Sequence, residues 1–282
     1  MTPPRYGAAA GGGTLGVMNP FPAARVLVPV DMTPPSGRAW AWARAVSAPG
    51  AELKALHVRF LPASPVLDAP LPPLTAPERS RLEERVRKLY AGALPRVEEG
   101  DPETSILRAA RKADLVIMGS HGRTGLDRAL LGSVSEAVVR RSPAPVLVVR
   151  RAPRSVRSVL APVNMESYAK RGLELAASAA AYFGAELAVL HVCADARLAA
   201  GALFSLHAMI ERLPASLRAQ IKPRALSRVG STLSEILEEA AHHGLLVLTA
   251  HRKPLLADLV LGSTVERAIR HSAVPVLTAP SE

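Results

Sequence analysis

The chain has one cysteine, few aromatic side chains and no long apolar run. The single cysteine, Cys193, excludes an intrachain disulfide and a zinc site built from several cysteines, and it fits a reducing compartment. Aromatic residues make up only 4% of the 282 residues, which argues against a large surface that stacks sugars or bases. No apolar run reaches the roughly 20 residues that cross a bilayer, so we expect no membrane segment and a cytoplasmic protein.

Acidic residues are also in short supply, at 24 against 35 basic ones, which leaves a net charge of +11. Such an excess is compatible with nucleic-acid or lipid partners. The basic residues are spread over both halves, however, and the nearest thing to a cluster lies in a predicted linker at Arg150, Arg151, Arg154 and Arg157. We therefore favour a solvated basic surface and no nucleic-acid partner.

Several signatures of nucleotide enzymes are missing as well. The chain has no G-x-x-x-x-G-K-[ST], no G-x-G-x-x-G after its first predicted strand and no G-x-S-x-G. His57 and His191 recur at predicted strand ends, where a packed or loop-bonded histidine is expected rather than a catalytic one. Without a general base or nucleophile in view, we expect no efficient catalysis.

What the chain does contain is an internal repeat. Ordered matches between the two halves join Val26–Asp31 to Val159–Asn164, Leu56–Val58 to Leu190–Val192, Gly132-Ser133 to Gly262-Ser263, and Ser142–Leu147 to Ser272–Leu277. The offset between matched positions is 133 at first and 130 over the last third. Ordered matches of this kind indicate a duplicated unit. We predict a disordered tail at 1–24, with Met1 or Met18 as the start, a first domain at 25–151 and a second at 152–282.

Each copy alternates apolar runs typical of buried strands with helical periodicity. In the first copy we predict strands over 25–30, 51–58, before Gly100, over 115–118 and over 145–149, and helices over 37–48, 78–91, 101–112 and 132–141. The proline-rich stretch 61–77 is predicted to be irregular. The alternation predicts a parallel sheet with helices on both faces, whose ligands bind at the carboxyl ends of the strands.

The loop after the fourth strand has the most distinctive pattern, GSHGRTGLDRALLGS at 119–133. Its glycines let the backbone turn tightly and approach a ligand. Gly132-Ser133 opens a helix whose free N–H groups and positive dipole end favour an anion, and Arg123 adds positive charge. The pattern indicates a phosphate cradle, although such glycines also occur in ordinary strand-to-helix loops.

The spacing Gly-x-x-Gly, nine residues, Gly-Ser resembles the ATP-binding branch of the universal stress protein family. The match is complete at Gly119, Gly122, Gly132 and Ser133. The segments VPVD, LHV, DLVIMGSHGR and SPAPVLVV resemble the family too, and the resemblance covers 25–150 and again 155–280. It implies an α/β fold of the adenine nucleotide alpha hydrolase-like, Rossmann-like class, with two tandem open parallel five-stranded sheets flanked by helices.

The resemblance also implies a site for ATP, with Mg²⁺ accompanying the phosphates. The implied positions are Pro29, Val30 and Asp31 on the adenine and ribose side, the main chain of Val58 at the adenine edge, Met118 and Gly119 beside the base and ribose, and His121, Gly122, Arg123, Gly132, Ser133 and Val134 around the phosphates. For Asp31 the residue type leaves a second interpretation open, since an aspartate after a strand often caps the next helix.

The second copy departs from the motif. Thr249 stands at the position of Gly119, Arg252 at that of Gly122 and Asn164 at that of Asp31. We expect the second copy to bind ATP weakly or not at all and to serve as a structural partner. In the family the last strand often pairs with its counterpart, so 145–149 and 275–278 are expected to form a pseudo-dimer within the chain; a homodimer of two chains stays open.

The leading hypothesis is an ATP-binding stress-response or signalling module with an unidentified protein partner and at most slow ATP hydrolysis. The alternative is a protein-interaction scaffold of the same fold that binds no nucleotide. A true ATPase or kinase, and a nucleic-acid binder acting through the basic surface, are the remaining classes.

Overall fold

The computed structural model describes residues 20–60, 72–120, 131–166, 169–250 and 263–280. The first half contains β1 (Ala23–Pro29), α1 (Pro34–Val46), β2 (Ser47–Phe60), α2 (Ala76–Leu89), β3 (Leu94–Gly100), α3 (Pro102–Ala110), β4 (Leu115–Gly119), α4 (Ser133–Arg141) and β5 (Val146–Val149). The second half contains β6 (Ser158–Pro162), α5 (Ala169–Phe183), β7 (Glu186–Cys193), α6 (Ala199–Glu211), α7 (Ala215–Arg218), β8 (Lys222–Val229), α8 (Thr232–Ala240), β9 (Leu245–Thr249), α9 (Ser263–His271) and β10 (Val276–Ala279).

The strands form one continuous ten-stranded sheet in the order β3-β2-β1-β4-β5-β10-β9-β6-β7-β8. Neighbours within each half are parallel, which confirms the predicted α/β class. The halves meet through an antiparallel ladder that pairs Val146–Val148 of β5 with Val276–Thr278 of β10. The two sheets expected from the sequence are therefore joined edge to edge by the last strands, as the predicted pseudo-dimer requires.

Apolar side chains cover both faces of the sheet. In β1, Val26 and Val28 pack on the face that carries α1 and α5, while Leu27 packs on the face of α3, α4 and α8. Burying such a side chain stabilises the fold by about 1.5–3 kcal/mol. The buried clusters on both faces run through both halves, so the two copies share their core.

Two segments that the sequence predicted to be disordered or irregular contain packed or helical residues. Phe21, which was assigned to the disordered tail, is buried and stacks on Tyr182 of α5 with ring centroids 5.5 Å apart. Helix α2 begins at Ala76, inside the proline-rich stretch, because Thr75 and Glu78 form a capping box and Pro77 lies in the first turn, where no N–H is needed. Residues 1–19 and 61–71 of these two predicted segments lie outside the described residues.

No helix in the described ranges is long and apolar enough to cross a membrane.

Arg150, which the sequence placed on a solvated linker, instead lies half-buried at the junction of the halves. Its guanidinium donates to the backbone oxygens of Ile269 at 3.0 Å and Arg270 at 2.6 Å, in the last turn of α9. Those carbonyls have no intrahelical partner, and a cation suits the negative end of the helix dipole. Burial lowers the pKa of Arg150 from its ordinary value. Arg150 therefore ties the end of β5 to a helix of the other half.

Removal of this cap should lower the stability of the whole fold. Arg150→Met keeps the apolar stem and leaves two carbonyls without their charged donor, so we expect a loss of about 2 kcal/mol in the free energy of unfolding. Urea unfolding followed by circular dichroism measures it. The matched control is Arg85→Met on the exposed side of α2, expected to change stability by less than about 0.5 kcal/mol. Equal effects of the two substitutions would contradict the assignment.

A second buried contact joins Glu239, in the last turn of α8, to His243 just after the end of that helix. Glu239 accepts from Arg228 at 2.6 Å and lies 3.3 Å from Nε2 of the buried His243. Burial lowers the pKa of His243, and the Nδ1 atom of its ring finds no hydrogen-bond partner among the described residues. Burial raises the pKa of Glu239, but the hydrogen bonds from Arg228 and His243 outweigh that effect and lower it overall.

Both shifts make the fold less stable in acid. A histidine with a pKa lowered from 6.5 contributes stability above pH 6.5, and that contribution is lost as the pH falls through the folded-state pKa. We expect the free energy of unfolding to drop between about pH 7.5 and about pH 5.5, by at most about 1.4 kcal/mol per pH unit from this residue. The measurement is urea unfolding at both pH values. His243→Leu should flatten the slope; His242→Leu, which removes the exposed neighbour and leaves the buried pair in place, is the control. An unchanged slope in His243→Leu would count against the pair.

Candidate functional site

A cavity of about 760 Å³ lies in the first half, at the carboxyl ends of β1, β2 and β4. The starts of α3 and α4 close its other side. This is the edge where parallel sheets bind ligands, and the volume is within the range of about 300–1,000 Å³ typical of small-molecule sites. The structure thus contains a ligand-sized cavity at the loops that the strand pattern singled out.

The predicted site residues converge on this cavity. All those that the structure describes line it: Pro29, Val30, Asp31, Val58, Met118, Gly119, Gly132, Ser133 and Val134. His121, Gly122 and Arg123 lie outside the described residues. The sequence did not single out the wall made by α3, at Asp101, Pro102, Glu103 and Ile106, nor the contributions of Ser36, His57 and Ser135. The helix start that follows β3 was the available signal for that wall.

Asp31 has one oxygen committed to the fold. Its Oδ1 accepts from the Thr33 amide at 3.1 Å and from the hydroxyls of Thr33 and Ser36. The Ser36 hydroxyl in turn accepts from the Asp31 amide at 3.0 Å. Asp31 therefore shapes the turn into α1, but the N-cap of that helix is Thr33 and not Asp31, as the second interpretation had it. Oδ2 receives no hydrogen bond from the described residues and is the oxygen available to a ligand.

Helix α4 presents free donors to the other end of the cavity. The Gly132 amide donates to Ser120 O at 2.9 Å, so this predicted donor is already engaged. The amides of Ser133 and Val134, in the first turn of α4, have no acceptor among the described residues. The Ser135 hydroxyl donates to Gly119 O at 3.1 Å and ties the end of β4 to the helix. The anion-binding end of α4 is thus held against the strand that precedes it.

The ionisable groups at the cavity wall are mostly paired. Asp101 caps α3, and hydrogen bonds from the Thr104 amide and hydroxyl lower its pKa. Glu103 forms an ion pair with Arg141, and Arg59 one with Glu99 at 2.8 Å. Within the described ranges, no group of three or more His, Cys, Asp and Glu side chains is arranged to hold a metal ion. The start of α4 therefore adds free amide donors to a wall whose described side-chain charges are mostly paired.

Gly119 is required by its contact with the first turn of α1. A Cβ atom at Gly119 would lie 2.7 Å from Cβ and 3.0 Å from the backbone carbon of Pro35, closer than packed atoms approach. In the second half the same position carries Thr249, whose Oγ1 would lie 2.1 Å from a Cβ at Gly172 of α5. Each half thus has a glycine where the end of this strand meets the helix, on the strand in the first half and on the helix in the second. Only the first half keeps the small residue on the strand that lines the site.

The second half has a smaller cavity at its strand ends. It measures about 460 Å³ and is lined by residues of the β6–α5 loop, the end of β7, the turn after it and α6, namely Met165, His191, Val192, Cys193, Ala194, Arg197, Leu198, Gly201, Ala202 and Ser205. Residues of α8 and α9, the counterparts of α3 and α4, are not part of its lining. The described lining of this cavity therefore reaches the start of α6 but not the start of α8 or α9.

The packing at Gly119 can be tested directly. Gly119→Ala places a methyl group against the rigid Pro35, so we expect destabilisation of about 1–3 kcal/mol. The control is Gly37→Ala in α1, where a Cβ meets nothing within 4 Å and should stabilise the helix by up to about 1 kcal/mol. Thermal unfolding measures both variants, and the same glycine-to-alanine change should lower the stability at position 119 and raise it at position 37. A neutral Gly119→Ala would show that the contact is not tight.

Comparisons with known proteins agree with this architecture. The model of the universal stress protein family matches the chain twice, at residues 23–150 and 155–280. A universal stress protein of Methanocaldococcus jannaschii is 51% identical over 55 residues, which are 19% of this chain and 32% of the relative. One of Mycobacterium tuberculosis is 29% identical over 195 residues, or 63% of this chain and 65% of the relative. The chain thus spans less than two thirds of the length of these relatives.

A solved structure shares the fold over nearly the whole chain. The crystal structure of a universal stress protein from Archaeoglobus fulgidus superposes with a TM-score of 0.68 at 24% identity, covering 92% of this chain and 98% of that one. At this identity the likeness establishes the fold. The twofold match of the family model shows that the chain belongs to the universal stress protein family, in a tandem arrangement of two copies.

Proposed function

We propose that the first half of the chain binds ATP and that the protein acts as a nucleotide-responsive module in stress response or signalling. The observation that carries the proposal is the single cavity that joins the free end of β2, at Val58, to the start of α4, at Ser133 and Val134. One end offers main-chain groups for a base, and the other offers amides for an anion. A nucleotide is the ligand class with both parts.

Each described residue has a role in this proposal. The main chain of Val58 meets the adenine edge, and Oδ2 of Asp31 accepts from a ribose hydroxyl. Pro29, Val30 and Met118 form apolar walls beside the base and sugar. The Ser133 and Val134 amides donate to phosphate, with Gly132 adding its amide only if the bond to Ser120 opens.

The remaining phosphate contacts in this proposal come from His121, Gly122 and Arg123, of which Gly122 is a position of the family motif and the other two flank it in sequence. Gly122 allows the backbone to approach the phosphates, and Arg123 neutralises their charge. A Mg²⁺ ion bound with ATP would be held mainly by the phosphates, since the described residues form no cage for it.

The second half is proposed to be a partner without ATP. Thr249 packs against α5 where the first half has Gly119 at the site, and Arg252 and Asn164 replace Gly122 and Asp31. Its exposed side chains Leu198 and Phe204, which are 58% and 78% accessible, suit a protein partner. A scaffold that acts through this surface without nucleotide is the alternative function. The lone, buried Cys193 is consistent with a reducing cytoplasm.

Calorimetric titration with ATP, AMP and a cyclic nucleotide, each with and without Mg²⁺, tests the proposal. We expect ATP to bind at about one per chain. Gly122→Arg, which copies the second half at this position, should abolish binding because its side chain crowds the phosphates.

The control for that variant is Gly37→Arg, an equal change at an exposed glycine with open space around it and outside the cavity lining. It should bind ATP as the unchanged protein does. Binding that persists in Gly122→Arg would refute the phosphate site. No binding by the unchanged protein at millimolar ATP would favour the scaffold.

A further inference from the structure

The open end of β2 has a specific structural cause. Strand β1 ends at Pro29, paired with Leu56, whereas β2 continues to Phe60 along β3. The Val30 amide still donates to Leu56 O at 2.8 Å, so the main-chain groups of Leu56 face β1. Since these groups alternate along a strand, those of Val58 face the same way, past the end of β1 and toward the cavity.

In a continued parallel ladder, the Val58 amide would donate to Val30 O. That carbonyl is instead bound by the imidazole of His57, whose Nδ1 lies 2.9 Å from it. A carbonyl oxygen only accepts, so Nδ1 carries the proton. The Val58 amide has no acceptor among the described residues. The side chain of His57 thus stands in for the next rung of the ladder.

The second half repeats this arrangement. Nδ1 of His191 lies 2.8 Å from Val163 O, and the Val163 amide donates to Leu190 O at 2.8 Å. Strand β7 likewise continues to Cys193, past the end of β6 at Pro162. The same two hydrogen bonds and the same strand extension occur at matching positions of both copies, so the histidine is a feature of the repeated unit. Sequence reasoning gave these histidines no role beyond packing or a loop bond.

We propose that His57 is a positioning residue for the nucleotide base. By binding Val30 O, it competes with the Val58 amide for this acceptor and favours the state in which the Val58 N–H and C=O stay free. An edge with an acceptor ring nitrogen beside an amino group, as in adenine, satisfies both groups. Because no ladder bond has to break first, the base gains the full net hydrogen bond. The identity of the ligand rests on the function proposed above; the state of the Val58 amide does not.

Two substitutions at His57 distinguish the effect of its N–H donor from the effect of the size of its side chain. His57→Phe keeps a ring but has no donor, so Val30 O becomes available to Val58 and the base loses a hydrogen bond. His57→Asn retains an N–H the same number of bonds from Cβ as Nδ1 and should rescue. We expect ATP and adenosine to bind about 3- to 10-fold more weakly to His57→Phe and within about 2-fold of normal to His57→Asn. Inorganic tripolyphosphate, which has no base, should bind all three proteins alike.

Amide hydrogen exchange, measured by NMR without ligand, tests the cause itself. The Val58 amide should exchange faster than that of Leu56 in the unchanged protein and in His57→Asn, and should become protected in His57→Phe. If the Phe variant does not fold, His57→Leu takes its place. Equal ATP affinity in all variants, or a Val58 amide protected in every one, would overturn the inference. Failure of the unchanged protein to bind ATP would overturn the proposed ligand alone, and the exchange rates would still decide the role of His57.

Discussion

The early end of β1 is the constraint on which the candidate site depends. After Pro29 the chain leaves the sheet at once, through a turn in which Met32 has a left-handed φ of 63° and Asp31 holds Thr33 and Ser36. Such a backbone costs a non-glycine residue of order 1 kcal/mol. Met165, at the matching position of the second half, has the same φ of 63°. Both copies contain this strained turn, and in both the turn leaves the end of the neighbouring strand exposed.

The sequence predicted the elements of the first copy and nine of the nineteen residues that line the cavity, because both depend on local patterns. Buried strands such as Leu115–Gly119 are continuous apolar runs, and Asp101-Pro102 marks the start of α3 unambiguously. Contacts between distant segments were not predictable. No local sequence pattern shows that Arg150 caps a helix of the other half. The same holds for the hydrogen bond from the Gly132 amide to Ser120 O and for the bond by which His57 replaces a rung of the ladder. These contacts depend on which elements the fold brings together.

Divergence between the copies is visible as a change of packing partner. In the first half Pro35 packs closely against Gly119, so the strand end carries no side chain at this position beside the cavity. In the second half Thr249 projects from the strand and Gly172 of the helix makes room for it. A second half rebuilt to bind a polyphosphate would therefore need changes on α5 as well as in its loop. The histidine at the strand end persists in both copies, so the two parts of the site have diverged separately.

The antiparallel ladder between β5 and β10 has a geometric consequence for communication. Parallel strands within each half and one antiparallel junction send the two sets of carboxyl ends to opposite rims of the sheet. The two cavities therefore open in opposite directions, and no small molecule can touch both. Any influence of one rim on the other must pass through the seam, where Glu136 and Arg140 of α4 meet Arg270 and Glu266 of α9 at 2.9 Å and 3.2 Å. Helix α4, whose first turn faces the cavity, is thereby one direct contact between the cavity and the second half, beside the β5–β10 ladder and Arg150.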